Sequence, residues 1–240
     1  MLPGLPVPGS RGHRRRDPSH DGTAAPGLGI GRHVPRDSTE TRARLQAEAE
    51  RLFAEQGVWQ AGVGEIVAAA GQRNASALTY HFGSREGILD RILAEHEEPI
   101  DIHRGGLLAE LDDDPSTHAL LDALVRPMSA RLDHERGRRY LRIVAQLASQ
   151  FSTWREARSG LEHRHLLRAL DLLERRPAHL PEPVRRERLV AMMQLMTSSL
   201  AERARLLDAG DDAELSGADY EANLTDMLAG VLEAPAALPA

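Results

Sequence analysis

From Gly71 to Arg85 the sequence reads GQRNASALTYHFGSR. The stretch gathers hydrogen-bonding side chains: Arg73, Asn74, Ser76, Thr79, Tyr80, His81, Ser84 and Arg85. Short donors spaced along one or two helical turns suit phosphate oxygens and base edges. Ala75, Ser76, Ala77 and Thr79 would make a slim face, small enough for a major groove about 12 Å wide. Tyr80 and His81 would carry polar tips to the far end, where a nucleic-acid backbone would pass. Packing is the alternative for both residues, and for His81 the two readings are evenly balanced. Phe82 reads as the anchor that pins this short helix to the one before it.

Other chemistries find little support. Cysteine is absent, which leaves no disulfide framework or thiol chemistry and favours a reducing, cytoplasmic setting. His163 and His165 stand two residues apart, a poor metal pair on a helix, and His103, His118, His134 and His179 are scattered. No glycine-rich phosphate loop follows a strand, and no nucleophile–base pair can be proposed from residue order. No cofactor is implied, and an enzyme is not expected. No apolar run approaches the roughly 18 residues of a membrane span. The net charge of −6 denies the chain a general basic field, so any hold on DNA must come from a local patch. All thirty basic residues are arginine.

The elements that must position the stretch can be read around it. Asp37 to Gln56 has the helical stripe Leu45, Ala49, Leu52 and Phe53, with Asp37 and Glu40 as a capping box and Gly57 as the stop. Val63, Ile66, Val67 and Ala70 make a second short stripe ended by Gly71, and Ala68, Ala69 and Ala70 are small enough for close helix approach. Asn74 is placed to cap a third helix over Ala75 to Phe82, closed by Gly83. Ser84 then caps a fourth, with Ile88, Leu89, Ile92 and Leu93 on its inner face. Two short helices about a glycine-opened turn are the outline of a helix-turn-helix.

At these residues the chain resembles the TetR family of bacterial transcriptional regulators, over about Thr41 to Leu93. The motifs that carry the likeness are TRARLQAEAERLFAEQG, EIVAAAG and LTYHFGSREGIL. The resemblance implies an all-α fold: a three-helix DNA-binding domain followed by a helical domain for effector binding and dimerisation. It implies that Thr41, Arg42, Tyr80, His81 and Arg85 lie at the DNA backbone, Arg85 where the family usually has lysine. Arg73, Asn74, Ala75, Ser76, Ala77, Thr79 and Ser84 complete the expected DNA-facing set. The span from Gly71 to Phe82 is one residue longer than the commonest pattern, Gly62 stands near a usual Thr or Ser, and Thr79 replaces a common tyrosine.

Before and after this domain the composition changes. Residues 1–36 are rich in Gly, Pro and Arg and read as a disordered basic arm; through Leu45 the chain holds eight arginines against four acids. RGHRRR, Arg11 to Arg16, could lie on phosphates or be a solvated tail. The expected domains are 37–83 for DNA binding, 84–233 for effector and dimer, and 234–240 as a tail. Within the second, helices are expected from Pro115 and Ser116, after Gly137, over Leu161 to Arg175, over Val184 to Leu207, and around Tyr220 to Val231.

An apolar effector pocket is expected from Leu107, Leu124, Met128, Tyr140, Ile143, Leu147, Phe151, Trp154, Met192, Met193 and Met196, with plain core packing as the alternative. A homodimer interface is expected from Leu166, Leu170, Leu173, Leu189, Leu195 and Leu200. The family resemblance, with which these residues are compatible, implies a ligand-responsive repressor, binding a palindromic double-stranded operator as a homodimer and released by a small apolar or amphipathic effector. The alternative is a helical small-molecule-binding protein without operator binding.

Overall fold

The computed structural model describes residues 36–148, 163–211 and 214–236. Residues 1–35 of the basic arm, Phe151, Trp154, Leu161 and the final tail residues 237–240 lie outside that range. The described residues form helices and connections only, with no strand among them. In chain order the helices are α1 (Arg36–Glu55), α2 (Val63–Ala69), α3 (Ser76–Phe82), α4 (Arg85–Ala109), α5 (Thr117–Ser129), α6 (Glu135–Leu147), α7 (Arg164–Arg175), α8 (Glu182–Ala209) and α9 (Gly217–Glu233). A 3₁₀ turn, Ala130–Asp133, joins α5 to α6.

Local chemistry sets most boundaries. Ser84, Ser116 and Ser216 each accept the amide of the third residue on, at 3.0, 3.1 and 3.1 Å, and so start α4, α5 and α9. Two expected boundaries are corrected. The backbone is already helical at Arg36, so Asp37 lies inside α1 and Glu40 instead pairs with Arg44 one turn on. Gly137 is not a break before α6 but a buried position within it. A Cβ there would sit 2.1 Å from the carbonyl oxygen of Arg131, so the glycine is the means by which α6 packs against the preceding turn.

The first three helices and the start of α4 build a head. Leu45, Ala49 and Phe53 of α1, Ile66 and Val67 of α2, Leu78 of α3 and Ile88 and Ile92 of α4 share its buried core. Of the three alanines expected to ease the approach of α2 to α3, only Ala70 is buried; Ala68 and Ala69 face outward. Beyond the head, α4 packs on α5 and α7, α6 on α8, and α5 and α8 on α9. No helix of the described residues is long and apolar enough to cross a membrane.

Candidate nucleic-acid interface

The reading surface starts from the end of α2. The amide of Gly71 donates to Ala68 O at 3.0 Å and that of Gln72 to Val67 O at 2.9 Å. This crossed pair of bonds ends a helix by placing one residue in the left-handed region, and Gly71 fills that place with φ of 71°. The chain then turns away and restarts at α3. The helix begins one residue later than expected, at Ser76, and the Asn74 side chain takes the Ser76 amide at 2.9 Å.

Leu78, 1% exposed, is the one fully buried residue of α3 and fastens it to the head. Phe82, expected as the buried anchor, is only half-buried, because the helix ends as its side chain reaches the rim of the core. The Arg42 guanidinium of α1 covers its ring at 5.5 Å from the centroid. The spacing of Leu78 and Phe82, one turn apart, was the signal that both share an inward stripe.

With the stripe turned inward, the rest of α3 faces out. Arg73, Asn74, Ala75, Ser76 and Thr79 are exposed, and Ala77 and His81 are half-buried. Tyr80 is 80% exposed and holds its ring edge-on to His81, with centroids 5.0 Å apart. Gly71, Gln72, Arg73, Asn74, Ser76, Ala77, Tyr80 and His81 line an open concavity of about 710 Å³. Gln72 was not anticipated and joins the set because the turn lays it against the start of α3. Arg42 is exposed and half-buried Thr41 is its neighbour on α1. Ser84 spends its hydroxyl oxygen on the α4 amide it caps. Arg85 departs from its expected outward role: its Nε donates to Ala61 O at 2.9 Å, and its side chain is only 16% exposed.

The head is tied to the following helices by polar groups that sequence reading missed. Glu50 of α1 is 1% exposed. It receives Arg136 of α6 through Nη2 at 2.7 Å and Nε at 3.1 Å, and His96 Nε2 of α4 stands 3.5 Å away. Burial alone would raise the Glu50 pKa; the adjacent His96 ring and the hydrogen-bonded Arg136 guanidinium outweigh it and hold the carboxyl below its usual range. Near the other end of α6, Gln146 accepts the Val58 amide at 2.6 Å and donates to Phe53 O at 3.1 Å.

A sequence profile of the bacterial regulatory proteins of the tetR family matches residues 45–92, and one of the tetracyclin repressor-like C-terminal domain matches residues 122–231. The chain belongs to the TetR family. It is 25% identical over 207 residues to the HTH-type transcriptional regulator AcrR of Shigella flexneri, covering 82% of this chain and 94% of that one. Its fold resembles the crystal structure of NalD, described as the secondary repressor of the MexAB-OprM multidrug efflux pump in Pseudomonas aeruginosa. The TM-score is 0.50 at 20% identity, over 80% of this chain and 95% of that one. As a TetR-family protein it is a DNA-binding transcriptional regulator with an all-α fold, from a family of regulators rather than enzymes.

The remaining expected site residues fall in the helices after the head of this TetR-family chain. Leu124, Met128, Tyr140, Ile143, Met192, Met193 and Met196 are buried in one core cluster, with Leu107 and Leu147 packed against it half-buried. None of them lines the concavity described above. The dimer set is corrected in part: Leu170, Leu173, Leu189 and Leu200 are buried within the subunit's own core, because α7 and α8 turn those faces inward. Leu166 and Leu195 stay half-buried at the edge of that core, and Leu167 is 45% exposed.

Proposed function

We propose that the chain is a ligand-responsive repressor that binds a palindromic operator as a homodimer. The observation that carries the reading is the α3 surface. Ser76, Thr79 and Tyr80 stand exposed on a helix fastened behind by Leu78, with Arg73 exposed in the turn that leads into it. Such a helix enters a major groove, with Tyr80, His81, Thr41 and Arg42 meeting phosphates at its flanks. Asn74 and Ser84 act as caps that set the helix ends, and Ala75 and Ala77 keep the face slim. Few strong base donors stand on α3, so duplex shape contributes to site choice.

One helix in one groove binds weakly. Two copies about a two-fold axis read half-sites about 34 Å apart or a multiple of it. The apolar groups left uncovered on one subunit, Leu166, Leu167 and Leu195, are where the second copy is to be sought. The same division of labour puts DNA binding in the part expected at 37–83, with the start of α4 completing its core, and effector binding and dimerisation in the rest of 84–233. Repression, rather than activation, rests on the family resemblance.

The effector site is assigned to the core around Tyr140, Ile143, Met192, Met193 and Met196. Methionine is unbranched and adapts its shape, which suits a small apolar or amphipathic guest. A guest that binds better to one separation of the two heads shifts the population off the operator. The test is a fluorescence anisotropy titration of the protein on DNA from its own upstream region, with Arg73→Ala and Tyr80→Ala beside wild type. Saturable binding that weakens in both variants supports operator recognition. No binding at low salt, or equal binding by all three proteins, leaves the helical small-molecule-binding alternative.

A further inference from the structure

We propose that Arg85 is a positioning residue that locks the reading head together from behind and does not bind a phosphate. It stands at the first position of α4, where the family resemblance points to a backbone contact, yet its geometry runs the other way. Nε donates to the carbonyl oxygen of Ala61 at 2.9 Å, in the loop just before α2. The guanidinium carbon lies 5.0 Å from the centre of the Phe53 ring, on α1. Nη1 stands 3.7 Å from the Glu86 carboxylate, and Nη2 is buried with no partner. Phe53 and Ala61 are both 0% exposed, so the guanidinium lies against the core of the head and not against its outer rim.

One side chain therefore joins three elements: α1 through the ring face, the α1–α2 loop through a carbonyl, and α4 through its own backbone. The helix-turn-helix lies between the ends so joined, and α3 packs on both α1 and α4. Fixing the loop before α2 relative to the start of α4 fixes where α3 projects. A phosphate oxygen could reach the buried Nη2 only if the side chain left Phe53 and Ala61. The planar guanidinium can stack on a ring and donate sideways at once; a lysine ammonium has one compact charge and no flat face. Lysine at this position would keep a phosphate contact but lose the lock.

The inference rests on the operator-binding reading, and the experiment separates the two. Wild type, Arg85→Lys and Arg85→Met are compared in full-length form by two measurements. One is operator affinity across a salt series; the other is thermal melting with amide exchange of α2 and α3. A lock predicts that both variants lose operator affinity by a similar factor, roughly tenfold. It predicts an unchanged slope of log affinity against log salt, a lower melting temperature and faster exchange in α2 and α3. A phosphate contact predicts that Arg85→Met flattens the slope by about 0.9 and that Arg85→Lys restores it, with melting unchanged. A flattened slope in Arg85→Met, or wild-type melting and exchange in Arg85→Lys, overturns the proposal. If wild type binds no operator, the functional reading falls, while melting and exchange still decide the lock.

Discussion

Tyr80 and Leu78 sit two residues apart on α3 and face opposite ways, 80% and 1% exposed. Their substitutions should therefore separate binding from folding. Tyr80→Ala should leave stability within about 0.5 kcal/mol of wild type in urea denaturation, as exposed changes do, while weakening operator binding. Leu78→Ala should cost about 2–4 kcal/mol in the same denaturation measurement, because it opens a cavity behind the reading helix. A stability loss for Tyr80→Ala as large as that for Leu78→Ala would contradict the assignment of faces. Gly71 was legible from sequence because its role is local: a helix end that needs positive φ. The inward turn of Arg85 was not, since its partners Phe53 and Ala61 lie far back along the chain and their approach exists only after folding.

The contact between α1 and α6 is held by polar side chains at both ends of α6. At one end Glu50 is buried with Arg136 bidentate upon it, and at the other Gln146 bridges the backbone of Phe53 and Val58. Glu50→Gln removes the charge that Arg136 and His96 surround and should cost about 1–3 kcal/mol at pH 7 by urea denaturation. The folded-state pKa of Glu50 lies below its unfolded value. Its contribution is therefore present above the unfolded pKa of about 4.3 and is lost as pH falls through the folded value. The gap between wild type and Glu50→Gln should narrow below about pH 4; a gap that widened there would contradict the assigned shift. Gly137→Ala should also destabilise, since its new methyl carbon would stand 2.1 Å from Arg131 O. A melting temperature equal to wild type would show that α6 can move away at no cost. The Ser84 cap foretold where α4 begins and Ser116 stood at the expected start of α5, because a cap and its amide are three residues apart; the same signal at Ser216, which starts α9, was not read. Glu50 and Gly137 carried no such signal: a charged residue on a helix and a glycine near a turn look ordinary until the facing helix is known.

At the scale of the whole molecule, the helical stripes revealed the fold class but not which leucines remain for a second subunit. Leu170, Leu173, Leu189 and Leu200 repeat with helical spacing, as both a core and an interface demand, and the core claims them. Leu195 stays half-buried, so Leu195→Asp should turn a dimer in light scattering into monomer with its helical signal retained. Loss of the helical signal as well would place Leu195 in the subunit core. The chain's net charge of −6 makes the local arrangement at α3 decisive, since no general field draws DNA to it. The most direct measurement is therefore the affinity of full-length protein for its upstream DNA as salt is varied, beside an Arg73→Ala, Tyr80→Ala double variant. Operator reading by α3 predicts tight binding at low salt and a log–log decline that is shallower by about one phosphate contact or more in the double variant. Wild type and double variant binding equally at every salt concentration would contradict it.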